Sequence, residues 1–451
     1  MNMDTADPRD LAFAVLEALR RMNEPLPPGD ALEQLFKIMY HASISREESQ
    51  TICFHVIYID PHNPDPAPPW RIVRDRWRFI PLETPLEMTL ANIRKIAPAS
   101  DPRSSAFAVY PDSQGRMTVW GFIDQLNQYQ EFLDYDAESG PERPGLFEAR
   151  IVGPGHLLAT IIYEKVGDLR VNELETQTLN VLERGPILDA LSPGIESLRT
   201  YVEGVAPKED YKKKFSRFYT VIPWINTIRR ILLRTNGLGH GGALLLTPDS
   251  SLVGLNVKYG LKYNRLRSAL ERCSAARMQQ NAAWRRIAEL HEAKEKFLSW
   301  KLYFGEQALH VDVDESESEL EAAIWFVSLL SRVDGLVLMT PQLDVIGFGV
   351  EITFSDKPRY IQKATSVMAD PASRQDIDYN SFGTRHRSMI RYCDKVPAAV
   401  GFVISQDGGV RAVTKIDETV VLWDGIRLRQ EFRASSALKR RRFQDDKSPP
   451  G

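Results

Sequence analysis

Ser381-Phe382-Gly383-Thr384-Arg385-His386-Arg387-Ser388 packs a glycine, hydroxyls, two guanidinium forks and an imidazole into a single run. Arginine offers planar paired donors that match phosphate oxygens, threonine and serine add neutral donors, and glycine lets the backbone come close to a ligand. The run therefore suits a phosphate chain. A solvated arginine-rich turn has the same composition, so the neighbouring segments decide between the two.

Upstream, the stretch from Leu329 to Met339 reads as the end of a helix, a tight Asp334-Gly335 turn and then the apolar strand Leu336-Val337-Leu338-Met339. Downstream, Ala398 to Ile404 reads as a second buried strand that ends in the polar turn Ser405 to Gly409. In order, spacing and residue type these segments resemble the diadenylate cyclase domain, whose hallmarks are a strand-opening Asp-Gly-Ala and a Gly-Thr-Arg-His-Arg turn. Gly241-Gly242-Ala243-Leu244-Leu245-Leu246 resembles that domain's opening strand, and Ile404-Ser405-Gln406 resembles the Val-Ser-Gln of its DNA-integrity-scanning branch. The resemblance covers residues 236 to 425. Within the wider family, Gly239-His240-Gly241-Gly242, Thr384 to Ser388 and Ile404 to Gly408 look most like the DACNV probable sensor domain, an offshoot thought to perceive nucleotides in bacterial conflict and signalling systems.

The resemblance implies an α/β domain with a mixed central sheet that binds ATP or a cyclic adenine dinucleotide. Gly383, Thr384, Arg385, His386 and Arg387 would embrace phosphate, Gly335 and Leu336 would approach the base, and Ser405 would close the pocket. Asp334 would hold Mg2+ or Mn2+ and the ribose 3'-hydroxyl, and it is the catalytic candidate if the domain is active. Three departures separate the chain from the cyclase pattern: Leu336 stands for the usual alanine, Gln406-Asp407 stands for paired glutamates, and a helical insertion at 263 to 309 interrupts the domain. They favour a sensor over a cyclase making cyclic di-AMP from two ATP, with a ligand-free scaffold as the third possibility. The insertion is expected to obstruct the face-to-face dimer that the cyclase reaction needs. An Asp-Gly after a helix is also simply a good turn.

Other motifs carry less. Gly237 to Gly242 is glycine-rich but precedes a strand, whereas a dinucleotide fingerprint follows a strand and opens a helix. No P-loop is present. His291-Glu292 lacks a second histidine one turn on, so no zincin site is formed. Lys439 to Arg442 reads as a solvated basic run in a tail and gives no strong nucleic-acid signal.

Length and composition set the frame. The chain has 451 residues, 43% hydrophobic and 26% charged, with a formal net charge of -3. About one domain per 150 residues gives two or three. A slightly acidic chain has no global attraction for nucleic acid or anionic membrane, so any anion site must be local. Cys53, Cys273 and Cys393 form no CxxC pair, which points to a reducing cytoplasmic setting. Neither a signal-peptide pattern nor an apolar run of membrane-spanning length occurs.

The organisation expected is an α+β module at 1–204, the cyclase-like domain at 208–430 and a disordered tail at 431–451. Helices at 10 to 22 and 30 to 41 lead into strands at 52–58, 77–80, 107–110, 117–123, 147–152 and 157–163. Apolar segments at 185–191 and 195–202 precede a boundary turn at Gly204 to Pro207. A helix follows at 210–234 with Pro223 as a kink, then helices at 263–309 and 319–332. With every phosphate-like signal after Gly237, the first module is expected to supply relay or partner contacts to an effector protein, and a fragment starting near Lys208 is expected to fold. A homo-oligomer is also compatible with the sequence.

Overall fold

The computed structural model describes residues 5–47, 50–62, 78–101, 104–124, 145–161, 164–176, 179–205, 216–248, 252–292, 300–405 and 409–428. The expected tail at 431–451, together with Gln406, Asp407 and Trp77, lies outside them. The chain divides into two compact units: residues 1–178 with 429–451, and Leu179–Leu428.

The first unit opens with α1 (Pro8–Met22) and α2 (Gly29–Ser43). Asp7 caps α1, and the Asp10 side chain accepts in turn from the Asp7 backbone N–H. After a short ladder of β1 (Arg46–Glu47) and β2 (Gln50–Thr51) come β3 (His55–Tyr58), β4 (Arg78–Glu87), α3 (Leu90–Ile96), β5 (Ser105–Pro111), β6 (Met117–Asp124), β7 (Phe147–Gly153), β8 (His156–Ile161), β9 (Glu164–Arg170) and β10 (Glu173–Glu175). Strands β3 to β10 form one eight-stranded sheet in the order β10-β9-β8-β7-β3-β5-β6-β4, in which, among the described residues, β3 with β5 is the parallel pairing. Phe54, Val56, Phe107, Ala149 and Leu157 pack under α1 and α2. Alternate residues occupy the opposite face, where buried His55 Nε2 meets Glu148 Oε2 at 2.9 Å between β3 and β7.

Removing either buried partner leaves the other polar group without this contact in low dielectric. Either His55→Ala or Glu148→Ala should therefore cost about 3–5 kcal/mol, measured by chemical denaturation of the full chain. On the same sheet Asp168 accepts from His156 at 2.6 Å and from Arg170 at 3.0 Å. Burial works to raise its carboxyl, but these partners outweigh burial and hold it well below the usual carboxylate range. Its folded pKa is depressed, so its stabilisation is present above about pH 4, the unfolded value, and is lost as pH falls below that.

The second unit holds α4 (Pro186–Val205), α5 (Ser216–Tyr219), α6 (Val221–Gly237), β11 (Gly242–Leu246), β12 (Leu255–Tyr263), α7 (Arg265–Glu292), α8 (Trp300–Leu330), β13 (Leu336–Met339), β14 (Val345–Ile352), β15 (Ile361–Ala364), β16 (Arg374–Asp376), α9 (Thr384–Lys395), β17 (Val400–Ile404), β18 (Val410–Ile416) and β19 (Thr419–Trp423). Its mixed sheet of nine strands runs β12-β14-β13-β11-β17-β18-β19-β15-β16. Parallel ladders join β11 to β13 and β15 to β19. Both faces are covered, which is why the strands read as continuous apolar runs. Leu244, Leu246, Val337 and Phe402 face α4, α6, α7 and α8, whereas Ala243, Leu245, Leu338 and Val403 face α9.

Several boundaries differ from expectation. The segments at 185–191 and 195–202 are one helix, α4, which continues through Pro193 and buries Ile187, Leu191, Ile195, Leu198 and Val202 against α6 and the sheet. The division between units accordingly falls at Thr178/Leu179, ahead of the boundary expected at 204 to 207, of which 206 and 207 lie outside the described residues. The helix expected at 210–234 is interrupted at Thr220, between α5 and α6, and Pro223 falls in the first turn of α6, where no proline N–H is needed and its ring cannot follow a continuous helix. The acidic stretch near Asp312 to Glu319 does not break the chain into two helices. Arg277 pairs with Glu317 at 2.7 Å and Arg265 with Glu319 at 3.3 Å, so α8 runs on unbroken beside α7. Cys273 and Cys393 are buried free thiols, and burial pushes Cys393 up to about 12, which fits packing and not reactivity.

Candidate anion site at the strand ends of the second unit

Ladder register brings the sequence motifs together. Gly242 pairs with Ile404 across the β11/β17 ladder, and Leu244 pairs with Val337 across β11/β13. The start of β11, the start of β13 and the end of β17 therefore share one end of the sheet. α9 returns antiparallel to β17, and the seating is close: a Cβ on Gly401 would lie 2.2 Å from Met389. Its N-terminus reaches the same end. Gly383 to Arg387 is thus not a free turn but the cap and first turn of a helix.

That helix start is electrostatically unusual. Gly383 has no side chain to accept from the first N–H groups, and no acidic residue stands in the first turn. Arg385 and Arg387 instead add cationic side chains to the positive end of the helix dipole. Arg385 is exposed and its Nη2 lies 3.8 Å from Oδ1 of the fully exposed Asp334. Thr384 is exposed, Arg387 half-buried and His386 buried.

Gly335 takes φ +114°, and a Cβ there would lie 2.5 Å from the Gly349 backbone, so its glycine is required by the chain's own packing. The Leu336 side chain is buried in the core beneath α9, leaving only its backbone at the strand end. Beside Gly349, the half-exposed Tyr259 stacks on Phe348 with ring centroids 5.0 Å apart.

Sequence reasoning missed Arg411, at the second position of β18. Its Nη1 lies 3.0 Å from Nε2 of His386 and 3.3 Å from Oγ of Ser405, and its Nε donates to Asp424. Asp424 also meets Lys363 at 2.8 Å. Burial works to raise the Asp424 carboxyl, but Arg411 and Lys363 outweigh it and hold it below the usual range. The hairpin register, with Val403 opposite Arg411, turns this arginine toward the α9 face. That register depends on the turn length, which is why the sequence alone did not single it out.

Among the described residues no three His, Cys, Asp or Glu side chains group to hold a metal. Asp334 is a lone carboxylate. It suits a divalent ion held largely by nucleotide phosphates rather than a cage made by protein alone.

The helical hairpin projects away from this end. α8 finishes at Leu330, just before Asp334, and runs back so that Glu319 meets Arg265. Arg267 meets Asp344 at 3.0 Å in the turn at the opposite end of the sheet. The base of the hairpin is part of the main core.

The family model described as probable sensor domain DACNV matches residues 21–124. No curated protein matches the chain. The match supports the DACNV resemblance but lies in the first unit, outside residues 236 to 425 on which that resemblance was read. Sensor likeness therefore attaches to the N-terminal part, which had been expected to supply only relay contacts. No helix among the described residues is long and apolar enough to cross a membrane.

Proposed function

We propose that the chain is a cytoplasmic signalling protein whose second unit binds ATP or a cyclic adenine dinucleotide by its phosphates at the N-terminus of α9, and whose first unit carries the sensing segment. The observation that carries the reading is the start of α9. A glycine cap, no acid in the first turn and two arginines concentrate positive charge, and among the described residues Asp334, at 3.8 Å from Arg385, answers it. Phosphate oxygens supply what is missing, accepting from backbone N–H groups and guanidinium forks together. Ser405 stands beside them, and the Tyr259–Phe348 pair offers a stacking surface for a purine. Calorimetric titration of the full chain with ATP and with cyclic di-AMP should give saturable heat with at least one. Silence with both at millimolar concentration would overturn the reading.

A second reading, turnover to cyclic di-AMP, is favoured by the hairpin's base lying at the far end of the sheet from Asp334. Asp334 would then hold Mg2+ or Mn2+ carried on the phosphates, which neutralises charge as a 3'-hydroxyl attacks the partner ATP's α-phosphate and pyrophosphate leaves. Arg385 and Arg387 would hold the phosphates in line. Incubation with ATP and Mn2+ followed by mass spectrometry separates the readings. Cyclic di-AMP that disappears in Asp334→Asn establishes turnover, whereas its absence from protein that binds ATP confines the unit to recognition.

A further inference from the structure

We propose that Arg411 is a positioning residue of this site: it fixes the ring of His386 and the hydroxyl of Ser405, and is itself held by Asp424, which Lys363 also engages. The inference rests on the nucleotide reading of the second unit and extends it to residues outside the cyclase-like motifs.

The geometry is a chain of contacts across neighbouring elements. Lys363 on β15 reaches Asp424 after β19 at 2.8 Å. Asp424 accepts from Arg411 Nε on β18. From the same guanidinium, Nη1 reaches His386 in the first turn of α9 at 3.0 Å and Ser405 at the end of β17 at 3.3 Å. The sheet register lines these positions up, since Val403 pairs with Arg411 and Ala412 with Trp423. Arg411 also lies over the Phe382 ring, at 6.0 Å from its centroid, so both ends of the Phe382-to-His386 segment touch the one side chain. The segment that starts α9 and the residue that ends β17 are therefore tied to one guanidinium.

A chemical consequence follows for His386. A guanidinium has donors and no acceptor, so Nε2 of His386 must be the unprotonated, accepting nitrogen. The imidazole is then neutral, with its proton on Nδ1. Arg411 thus selects one tautomer and one ring orientation, as the second partner of a ligating histidine commonly does. Removing the guanidinium releases that selection without touching Arg385 or Arg387.

Two measurements test this. Long-range 1H–15N correlation spectra of the full chain, with His386 assigned by loss of its signals in His386→Asn, should show the Nδ1–H tautomer in the parent protein without any ligand. In Arg411→Met the pattern should shift toward Nε2–H, with partial return in Arg411→Lys, while Arg385→Ala/Arg387→Ala leaves it unchanged. ATP affinity should fall about tenfold in Arg411→Met and in Asp424→Asn, each melting within a few degrees of the parent. In the His386→Asn background, Arg411→Met should bring little further loss, because it acts through His386. Nε2–H in the parent, or a tautomer indifferent to Arg411→Met, overturns the proposal. Fully additive losses in the double variant also overturn it, since Arg411 would then act independently of His386. Undiminished ATP affinity in Arg385→Ala/Arg387→Ala would instead sink the nucleotide site itself, and the tautomer result would still decide the role of Arg411.

Discussion

Replacing Arg385 and Arg387 together by alanine should remove roughly 3–6 kcal/mol of ATP binding energy, because each hydrogen-bonded charge contributes about 1.5–3. The sign of the accompanying stability change distinguishes a binding role from a structural one. Both side chains sit in the first turn of α9, where no acidic residue stands. Cations at a helix N-terminus are unfavourable by about 0.3–1 kcal/mol each. The ion pair of Arg385 with the fully exposed Asp334 offsets little of this. The double variant should therefore melt no lower than the parent while its affinity collapses. Calorimetry paired with thermal denaturation checks both halves. Equal loss of stability and affinity would mean that the arginines hold the fold, and undiminished affinity would place the ligand elsewhere.

A fragment beginning at Lys208 should fail to fold, whereas one beginning at Leu179 should fold. The difference between them is α4. Ile187, Leu191, Ile195, Leu198 and Val202 are all buried in the main core of the second unit. Each such side chain contributes about 1.5–3 kcal/mol when fully buried, so together they rival the roughly 5–15 kcal/mol that stabilises a whole domain. Circular dichroism melts of the two fragments read the outcome. A cooperative transition in the Lys208 fragment would show that α4 is dispensable and that the unit boundary lies after it.

The legible parts of the second unit were those where local chemistry and global position agree. The all-apolar runs from Gly242 and Val400 become central strands because both sheet faces are covered. The glycines of Asp334-Gly335 and Gly383 stand where a positive φ and an uncapped helix start occur. Legibility failed where a partner distant in sequence decides. The segments expected at 185–191 and 195–202 stop on either side of Pro193, but packing of the flanking leucines and isoleucines carries α4 through it. The helices expected at 263–309 and 319–332 left 310–318 between them, but Arg265 and Arg277 from α7 pair with Glu319 and Glu317 and α8 runs through. β9 was missed because Lys165 and Asp168 interrupt its apolar pattern, and both engage ion pairs on the sheet. Of the site, the first-turn arginines and Asp334 were visible as a motif. Arg411, Asp424 and Lys363 were not, because three separate strands and one hairpin register bring them to His386. The sensor likeness at residues 21–124 escaped notice for a different reason: that segment carries no chemistry-bearing motif, only turn-punctuated strands and two helices.

The most direct test of the account is titration of ATP into the isolated fragment Leu179–Leu428, with residues 1–178 titrated in parallel. Every residue assigned to the anion site lies in the first of these, so its affinity should match that of the full chain within about tenfold, or roughly 1.4 kcal/mol. The residues 1–178 should give no ATP heat. A well-folded Leu179–Leu428 fragment that does not bind, beside residues 1–178 that do, would contradict the account and move the nucleotide site to the segment that matches the sensor family.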